Sequence, residues 1–317
     1  MIRPATRRLL EEGFRHSATY RNGFANHLPM ALVALDGMGA TDEQMDRFIR
    51  GYVRQLEPVT PAELARVAEF EEAIARDGAE KVLRDRSPLF ARGISSIAFH
   101  GAIRTAYAFE SEVPGEIARA LAYWTTAHEA LPELPMPSGT TSPLEVLRGV
   151  SRDPIARPSG RGITERMRAA IAHPSFRDHV ASLSPDALDT GVLAHALIQA
   201  YVATGDFTIL HGVTGCHAFR LLAPHFESPH DALRNLWTAI VAAYMSCGSP
   251  PLEGWKLKGR DDLDWTEIHA RAAECDDEHD VKFAYSCWRE WQHYDDEIYR
   301  RAASARVAHA TQSIAAD

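Results

Sequence analysis

The chain has 317 residues, 45% of them hydrophobic, and a formal net charge of −9, so it can bury a substantial core. The acidic balance disfavours a nucleic-acid partner, because no basic stripe is present to neutralise phosphates. No stretch reaches the roughly 18 apolar residues that a membrane-spanning helix needs, and the N-terminus lacks the apolar core of a secretion signal, so we expect a cytoplasmic protein with no membrane partner.

Helix signals dominate the sequence. The capping-box pattern, a Ser or Thr followed three residues later by Glu or Gln, predicts helix starts at Thr41–Gln44, Thr60–Glu63 and Ser142–Glu145. Apolar stripes at helical spacing lie within 45–56, 117–124 and 232–244. No segment alternates between apolar and polar residues as a half-buried strand does. The sequence therefore predicts an all-α protein, with residues 1–317 forming a single helical-bundle domain.

Two stretches rich in helix-breaking residues are predicted to be loops. Residues 131–160 hold six prolines and divide the chain into halves, whereas residues 248–262 contain Pro250-Pro251 and could act as a lid. The Phe-His-Gly sequence at 99–101 is echoed by Leu-His-Gly at 210–212. The echo fits two pseudo-repeated halves around a central metal site, although chance similarity between amphipathic helices explains it equally well.

Four histidines occupy local settings that are unusual in a helical protein: His27, His100, His211 and His279. Three of them border apolar runs, so their imidazoles are expected to point inward, where each ring nitrogen needs a partner. For any one histidine alone, a hydrogen-bonded core position is the better interpretation. A shared metal ion would satisfy all four at once, and this favours a metal-dependent oxidative enzyme.

Glycine follows two of these histidines, at Gly101 and Gly212. Glycine weakens a helix interior by roughly 1 kcal/mol relative to alanine, so its presence indicates that a backbone or a ligand approaches closely. A simple helix crossing requires the same small residue. Both interpretations are open from sequence.

Lys282 lies three residues after His279 and is predicted to share its helix face. The spacing by itself favours an ion pair with Glu278. In a metal site the amine would be neutral instead, because desolvation and nearby positive charge lower a lysine pKa. A neutral amine can ligate weakly or combine with carbon dioxide to form a carbamate, an anionic oxygen ligand. Such an anion would balance the charge that four neutral imidazoles leave on a divalent metal.

Four segments, in this order, resemble the questin oxidase-like family, which is also known from an aflatoxin-pathway Baeyer–Villiger-type protein. The matching segments are Phe24–Leu32 (FANHLPMAL), Phe99–Ala108 (FHGAIRTAYA), Leu210–Ala218 (LHGVTGCHA) and Asp277–Ser286 (DEHDVKFAYS). No single segment is diagnostic, but the ordered set is specific and spans almost the whole chain.

The resemblance implies an all-helical oxygenase of secondary metabolism that acts on aromatic polyketides, with oxidative ring opening as the outcome. The family is similar to proteins that bind non-haem iron through four histidines and a carboxylated lysine. Carried over, the Fe(II) ligands are His27, His100, His211 and His279, with carboxylated Lys282 as the fifth.

We therefore expect a non-haem iron oxygenase whose partners are dioxygen and a small aromatic or quinoid substrate. Three residues are candidates for catalytic roles. Arg104 would hold a substrate oxyanion, and Tyr107 would line an aromatic pocket with Tyr285 or Trp124. His217 would act as a base or would orient a ligand. Buried aromatic residues at helical spacing more often belong to a core, and the position of His217 six residues after a predicted ligand favours a structural role.

Three alternatives are open. A Baeyer–Villiger-type monooxygenase would draw its electrons from NADPH, through a partner reductase. A non-catalytic helical binding protein would use the histidines as core hydrogen-bonding groups. A bis-histidine haem protein would show a characteristic visible absorption spectrum.

Overall fold

The structure is a computed structural model that describes residues 2–21, 23–152, 157–257 and 262–314. From the N-terminus the elements are α1 (Pro4–Gly13), β1 (Thr19–Tyr20), β2 (Phe24–Ala25), α2 (Leu28–Gly37), α3 (Asp42–Tyr52), α4 (Pro61–Asp77), α5 (Ala79–Arg92), α6 (His100–Ser111) and α7 (Pro114–Thr126). They continue as α8 (Pro143–Arg152), α9 (Ile163–Ile171), α10 (Phe176–Ala181), α11 (Thr190–Thr204), α12 (Phe207–Leu222), α13 (Pro229–Ser246), α14 (Trp265–Ala272), α15 (Glu278–Tyr294) and α16 (Glu297–Ile314). Short 3-10 turns lie at Val53–Gln55, Pro185–Ala187 and Ala223–His225.

Helices form almost all of this regular structure, and the predicted all-α class is confirmed. The exception is the antiparallel hairpin of β1 and β2, in which Thr19 pairs with Ala25 and Tyr20 with Phe24. It corrects the expectation that no strand forms, because strands of two residues are too short to show an alternating pattern. None of the helices in the described ranges is both long and apolar enough to cross a membrane.

Local capping fixes where several helices begin. At α3 the Gln44 N–H donates to Thr41 Oγ1 at 3.3 Å, and the Thr41 N–H donates to Gln44 Oε1 at 2.8 Å. The same reciprocal bonds join Thr60 and Glu63 at the start of α4. This helix stops before Gly78, whose φ of +84° lies in the left-handed region. The predicted starts of both helices are confirmed.

The predicted loop at 131–160 needs correction, since α8 occupies its centre. The Glu145 N–H donates to Ser142 Oγ at 3.4 Å, and Val146, Leu147 and Val150 give the helix a buried apolar face. The helix start predicted at Ser142–Glu145 is confirmed. The loop prediction was wrong here because Pro143 lies in the first turn, where proline is tolerated. Of this stretch, residues 153–156 lie outside the described residues, as do 258–261 of the second predicted loop; residues 248–257 contain no helix or strand.

The contacts divide the chain into two compact units, and neither is a continuous half of the sequence. The first unit comprises the described residues of Met1–Asp85, Ile103–Thr126 and Lys258–Asp317. Within it, α15 packs against α2 and α16, and α4 packs against α7. The units therefore do not follow the predicted division at 131–160, because C-terminal helices close on N-terminal ones. A single domain with two pseudo-repeats stays a prediction.

The second unit comprises the described residues of Arg86–Ala102 and Ala127–Leu257. Its helices α11 and α12 cross closely, and α13 packs against α9 and α12. A Cβ at Gly212 of α12 would lie 2.7 Å from Leu197 Cδ2 of α11. This glycine therefore permits a helix crossing, which is the simpler of its two interpretations.

Gly37, the last residue of α2, determines how closely α2 can approach α15. A Cβ built at this position would overlap the ring of Tyr285, which is itself buried. An aromatic ring against the helix leaves no room for a side chain, so close packing of the two helices requires glycine here.

We expect Gly37→Ala to lower the free energy of unfolding by about 1–3 kcal/mol, because an overpacked site must shift its neighbours. Gly51→Ala in α3 is the matched control, since no neighbouring side chain in the described chain lies within 4 Å of its Cβ position. Alanine there gains about 1 kcal/mol of helix propensity. Urea unfolding measures both variants, and equal stabilities would contradict the assigned role of Gly37.

Candidate functional site

The first unit brings two of the predicted ligands together. His27 directly precedes α2, and His279 lies in the first turn of α15; their ring centroids are 4.7 Å apart and the rings are nearly perpendicular. Pro29 starts α2 with the backbone angle that a first turn requires. The packing of α2 against α15 thus places the two imidazoles side by side.

Each ring of this pair uses Nδ1 to contact a carboxylate. His27 Nδ1 lies 2.9 Å from Glu278 Oε1, and His279 Nδ1 lies 2.8 Å from Asp277 Oδ1. The same Asp277 oxygen accepts the His279 backbone N–H at 2.8 Å and so caps α15. An ionised carboxylate can only accept, so Nδ1 carries a proton in both rings; in a neutral imidazole, Nε2 then carries the lone pair.

His100 and His211 form a corresponding pair in the second unit, with ring centroids 4.9 Å apart. Both are buried, as predicted from the neighbouring apolar runs, and His27 is also buried. Their Nδ1 atoms contact backbone carbonyls, that of Ile97 for His100 and that of Phe207, at 2.8 Å, for His211. A carbonyl also can only accept, so all four predicted ligands favour the tautomer with its lone pair on Nε2. Histidines that bind a metal through one ring nitrogen almost always donate the N–H of the other nitrogen to a carboxylate, a carbonyl or water.

The turn before His100 stores backbone strain. Ile97, Ala98 and Phe99 have φ angles of 51°, 53° and 69°, which places three consecutive non-glycine residues in the left-handed region. Each costs roughly 1–2 kcal/mol relative to a right-handed turn. Burial of the Phe99 ring offsets this strain. The ring packs against Gly215, where a Cβ atom would lie only 2.8 Å from it. The turn directs the Ile97 carbonyl at the His100 ring.

Lys282 lies on α15 one turn after His279 and is buried. Burial lowers the pKa of its amine to about 8, even though the charges of Glu278 and Asp277 act to raise it. Desolvation thus lowers this pKa as predicted, whereas the predicted contribution of nearby positive charge is wrong, because the neighbouring charges are carboxylates. At mildly alkaline pH a large fraction of the amine is neutral, which is the form that reacts with carbon dioxide.

Arg104, on α6, is buried in an ion pair with Glu116 of α7. Its Nε donates to Oε1 at 2.8 Å and its Nη2 donates to Oε2 at 3.2 Å. Nη1 is buried and makes no hydrogen bond within the described part of the chain. The pair is neutral as a whole, so Arg104 offers a ligand the two N–H groups of Nη1 instead of a net positive charge. Its binding of a substrate oxyanion stays a prediction.

Tyr107 is fully buried in the first unit. Its hydroxyl lies 3.0 Å from Ser286 Oγ and 3.3 Å from the Lys282 carbonyl, and its ring centroid is 5.5 Å from that of Tyr285. Burial raises the pKa of the Tyr107 hydroxyl well above its ordinary value. The side chain thus stays a neutral phenol beside a predicted ligand, and its part in an aromatic pocket stays a prediction.

His217 is fully buried on α12 in the second unit, and Nη2 of Arg220 donates to its Nδ1 at 3.4 Å. Trp124 is fully buried in α7 of the first unit. The catalytic role of His217 and the pocket-lining role of Trp124 stay predictions.

Sequence reasoning missed the acceptors that orient the imidazoles. Asp277 and Phe207 were detectable in principle, because they lie two and four residues before their histidines, within reach on the same helix. Glu278 meets His27 across 251 residues, and Glu116 meets Arg104 through the packing of two helices, so neither contact has a local signal.

Asp277, Glu278 and His279 form a second candidate cluster for a cation within the first unit. One potential ligand atom of each lies within 4.8 Å of those of the other two. Burial acts to raise the pKa of Asp277, but the hydrogen bond and charge of His279 lower it to about 2. Asp277 is therefore ionised at any physiological pH, and a test of the histidine ligands must distinguish this cluster.

The fold and the paired imidazoles define an all-helical protein that carries candidate metal ligands. The sequence profile of the questin oxidase-like family matches residues 67–287. The match covers most of the chain, and the protein belongs to this family. The matched range contains His100, His211, His279 and Lys282, whereas His27 precedes it. No curated protein sequence matches the chain.

The strain before His100 predicts an unequal response to glycine. We expect Ala98→Gly to be less destabilising than Ala102→Gly by about 2 kcal/mol, because glycine relieves the left-handed penalty at 98 and loses helix propensity at 102. Both alanines are buried, so the loss of a methyl group is matched. Urea unfolding measures the difference. Equal losses would show that the turn is not strained.

The depressed pKa of Lys282 predicts a pH-dependent effect of Lys282→Met. With a folded pKa of about 8 against an ordinary 10.5, the unfolded chain binds more protons between these values. We therefore expect methionine to stabilise the metal-free, carbon dioxide-free protein by about 3 kcal/mol below pH 8, with the gain shrinking towards 10.5.

Urea unfolding across this window measures the effect. Lys81→Met is the control, because Lys81 is exposed and its ion pair with Asp85 raises its pKa. A gain for Lys282→Met that does not change with pH would contradict the depressed pKa.

Proposed function

We propose that this protein is a non-haem iron-dependent oxygenase that acts on an aromatic or quinoid, polyketide-like substrate and leads to carbon–carbon cleavage or ring opening. Membership of the questin oxidase-like family supports oxidative chemistry. The proposed Fe(II) ligands are His27, His100, His211 and His279, with carboxylated Lys282 as the fifth.

One observation carries the proposal: every proposed histidine ligand gives its Nδ1 proton to an oxygen acceptor. In a protein core, the acceptor beside each histidine sets its tautomer, so histidines on unrelated segments have no reason to share one. Here four histidines on separate segments adopt the same one, with carboxylates as acceptors in one unit and carbonyls in the other. The acceptors fix ring orientation and make Nε2 more basic, which strengthens a bond to a divalent metal.

Lys282, once carboxylated, supplies the negative charge that the neutral imidazoles lack. Four neutral nitrogen ligands leave both charges of Fe(II) uncompensated, and an anionic oxygen ligand reduces this excess. The amine is buried and has a pKa of about 8, so its neutral form is accessible for carbamate formation near physiological pH. The proton released on carbamate formation passes to solvent base.

Bound iron would supply activation of dioxygen and stabilisation of charge on reduced oxygen. The protein's own groups would orient the substrate. Arg104 would hold a substrate oxyanion through the two N–H groups of Nη1, while Glu116 fixes the other side of the guanidinium. Tyr107 remains protonated and holds the Lys282 segment through that residue's carbonyl.

Metal content after anaerobic reconstitution of the full chain tests the proposal. We expect one iron per chain in the wild type and in His230→Ala, an exposed histidine of α13. His27→Ala, His100→Ala and His211→Ala should each lose it, and the electron paramagnetic resonance signal of the nitric oxide adduct should disappear with the iron.

Three outcomes would overturn the proposal. Iron lost in Asp277→Asn but retained in His211→Ala would assign the metal to the acidic cluster. Metal-free wild-type protein of normal stability would favour a binding protein. Oxygen uptake with an aromatic substrate that requires NADPH and no iron would favour the Baeyer–Villiger-type monooxygenase.

A further inference from the structure

We propose that a chain of tyrosine and tryptophan side chains in the first unit relays single electrons from the protein surface to the buried end of α15. The relay consists of Tyr107, Tyr285, Trp288, Trp265 and Trp291. Its purpose is to reduce a strong oxidant that forms in the protein when no substrate consumes it.

The inner part of the relay is a continuous contact of redox-active rings. The centroids of Tyr107 and Tyr285 are 5.5 Å apart, and those of Tyr285 and Trp288 are 6.0 Å apart. Both tyrosines are buried. Phenylalanine would fill these positions without a hydroxyl, whereas tyrosine and tryptophan are the aromatic residues that give up an electron most readily.

The outer part reaches the surface through α14 and α15. The His269 ring lies between two indoles, with centroids 4.6 Å from Trp288 and 5.9 Å from Trp265, and Trp265 lies 5.5 Å from Trp291. All three tryptophans are partly exposed. Trp291 Nε1 donates to Glu297 Oε1 at 2.9 Å, which fixes the outermost indole. A dissolved reductant can therefore reach the outer end.

Tyr285 has the proton acceptor that one-electron oxidation of a phenol requires. Its hydroxyl lies 3.3 Å from both carboxylate oxygens of Glu110, and Arg289 lies 3.3 Å from the same carboxylate. Loss of an electron makes the phenol strongly acidic, so its proton moves to Glu110. Arg289 holds the Glu110 carboxylate in place beside the phenol through this contact.

The transfer balances in protons and electrons. A one-electron oxidant formed from dioxygen takes an electron from Tyr285, and the phenolic proton moves to Glu110. Trp288 then returns an electron to the tyrosyl radical, and the proton returns from Glu110. An electron then tunnels from Trp265 past the His269 ring to the oxidised Trp288, and Trp291 reduces Trp265 in turn. At the surface, a thiolate in solution gives one electron to Trp291 and becomes a thiyl radical. The net change is reduction of the oxidant by one thiolate electron.

The biological role of the relay rests on the proposed oxygenase function, because iron and dioxygen would supply the oxidant. Conduction along the rings does not rest on it. The inner end is placed for this role, since the Tyr107 hydroxyl contacts the carbonyl of Lys282, a proposed ligand. A test on metal-free protein therefore separates failure of the relay from failure of the oxygenase proposal.

Pulse radiolysis of the chelator-treated full chain provides this test. Azide radicals oxidise exposed tryptophans, and transient absorption follows the indolyl and tyrosyl radicals. In the wild type we expect tyrosyl absorption to grow in a first-order step as indolyl absorption decays, at a rate independent of protein concentration. This step moves an electron from Tyr285 to the oxidised indole, so it runs the relay in reverse and measures the same coupling between the rings. Trp288→Phe and Tyr285→Phe keep the packed rings but interrupt the relay, so this first-order growth should be lost in both.

Two further variants complete the test. Trp255→Phe removes a partly exposed tryptophan of the second unit and should leave the growth rate unchanged. Glu110→Gln keeps a hydrogen-bond partner for Tyr285 but removes the proton acceptor, so the growth should slow and its solvent isotope effect should rise. If Trp288→Phe does not fold, Tyr285→Phe and Glu110→Gln decide the outcome. Growth at the wild-type rate in the folded relay variants would overturn the proposal.

Discussion

Burying an imidazole requires an acceptor for its N–H, and this requirement shapes the candidate site. The protein meets it in two ways. His211 uses the carbonyl of Phe207 one helical turn earlier, so its acceptor comes with the helix itself. His27 uses Glu278 from a helix far along the chain, so its acceptor exists only once the first unit has folded. The same ring tautomer thus results from local structure in one case and tertiary packing in the other.

Two buried cations show how the fold handles charge away from water. Arg104 cannot lose its proton, so a bidentate carboxylate partner compensates its burial. Lys282 can lose its proton, and burial shifts its equilibrium in that direction. One cation is therefore held charged and paired, whereas the other becomes a potential nucleophile towards carbon dioxide. The difference follows from the chemistry of the side chains, since both are almost fully buried.

Features that depend on neighbouring residues could be predicted from the sequence. The capping box at Thr41 and the inward direction of His211 follow from patterns within one helical turn. The capping pattern at Ser142–Glu145 predicted the start of α8, whereas the prolines of the same stretch predicted a loop, because proline at a first helical turn resembles proline in a loop. The contact of Glu278 with His27 depends on the packing of α2 against α15, and no local pattern in the sequence predicts that packing. The division into two units also depends on packing between distant segments, so the sequence did not predict it.

The glycine contact between α2 and α15 bears on how far apart the His27 and His279 rings lie. The two helices are stiff, and Gly37 allows them to press together one end away from the imidazoles. The distance between the His27 and His279 rings is then set by the spacing of the two helix backbones, and side-chain rotation can change it only slightly. Core packing remote from the imidazoles therefore sets the distance between them, and a bulkier residue at position 37 would change that distance without touching either ring.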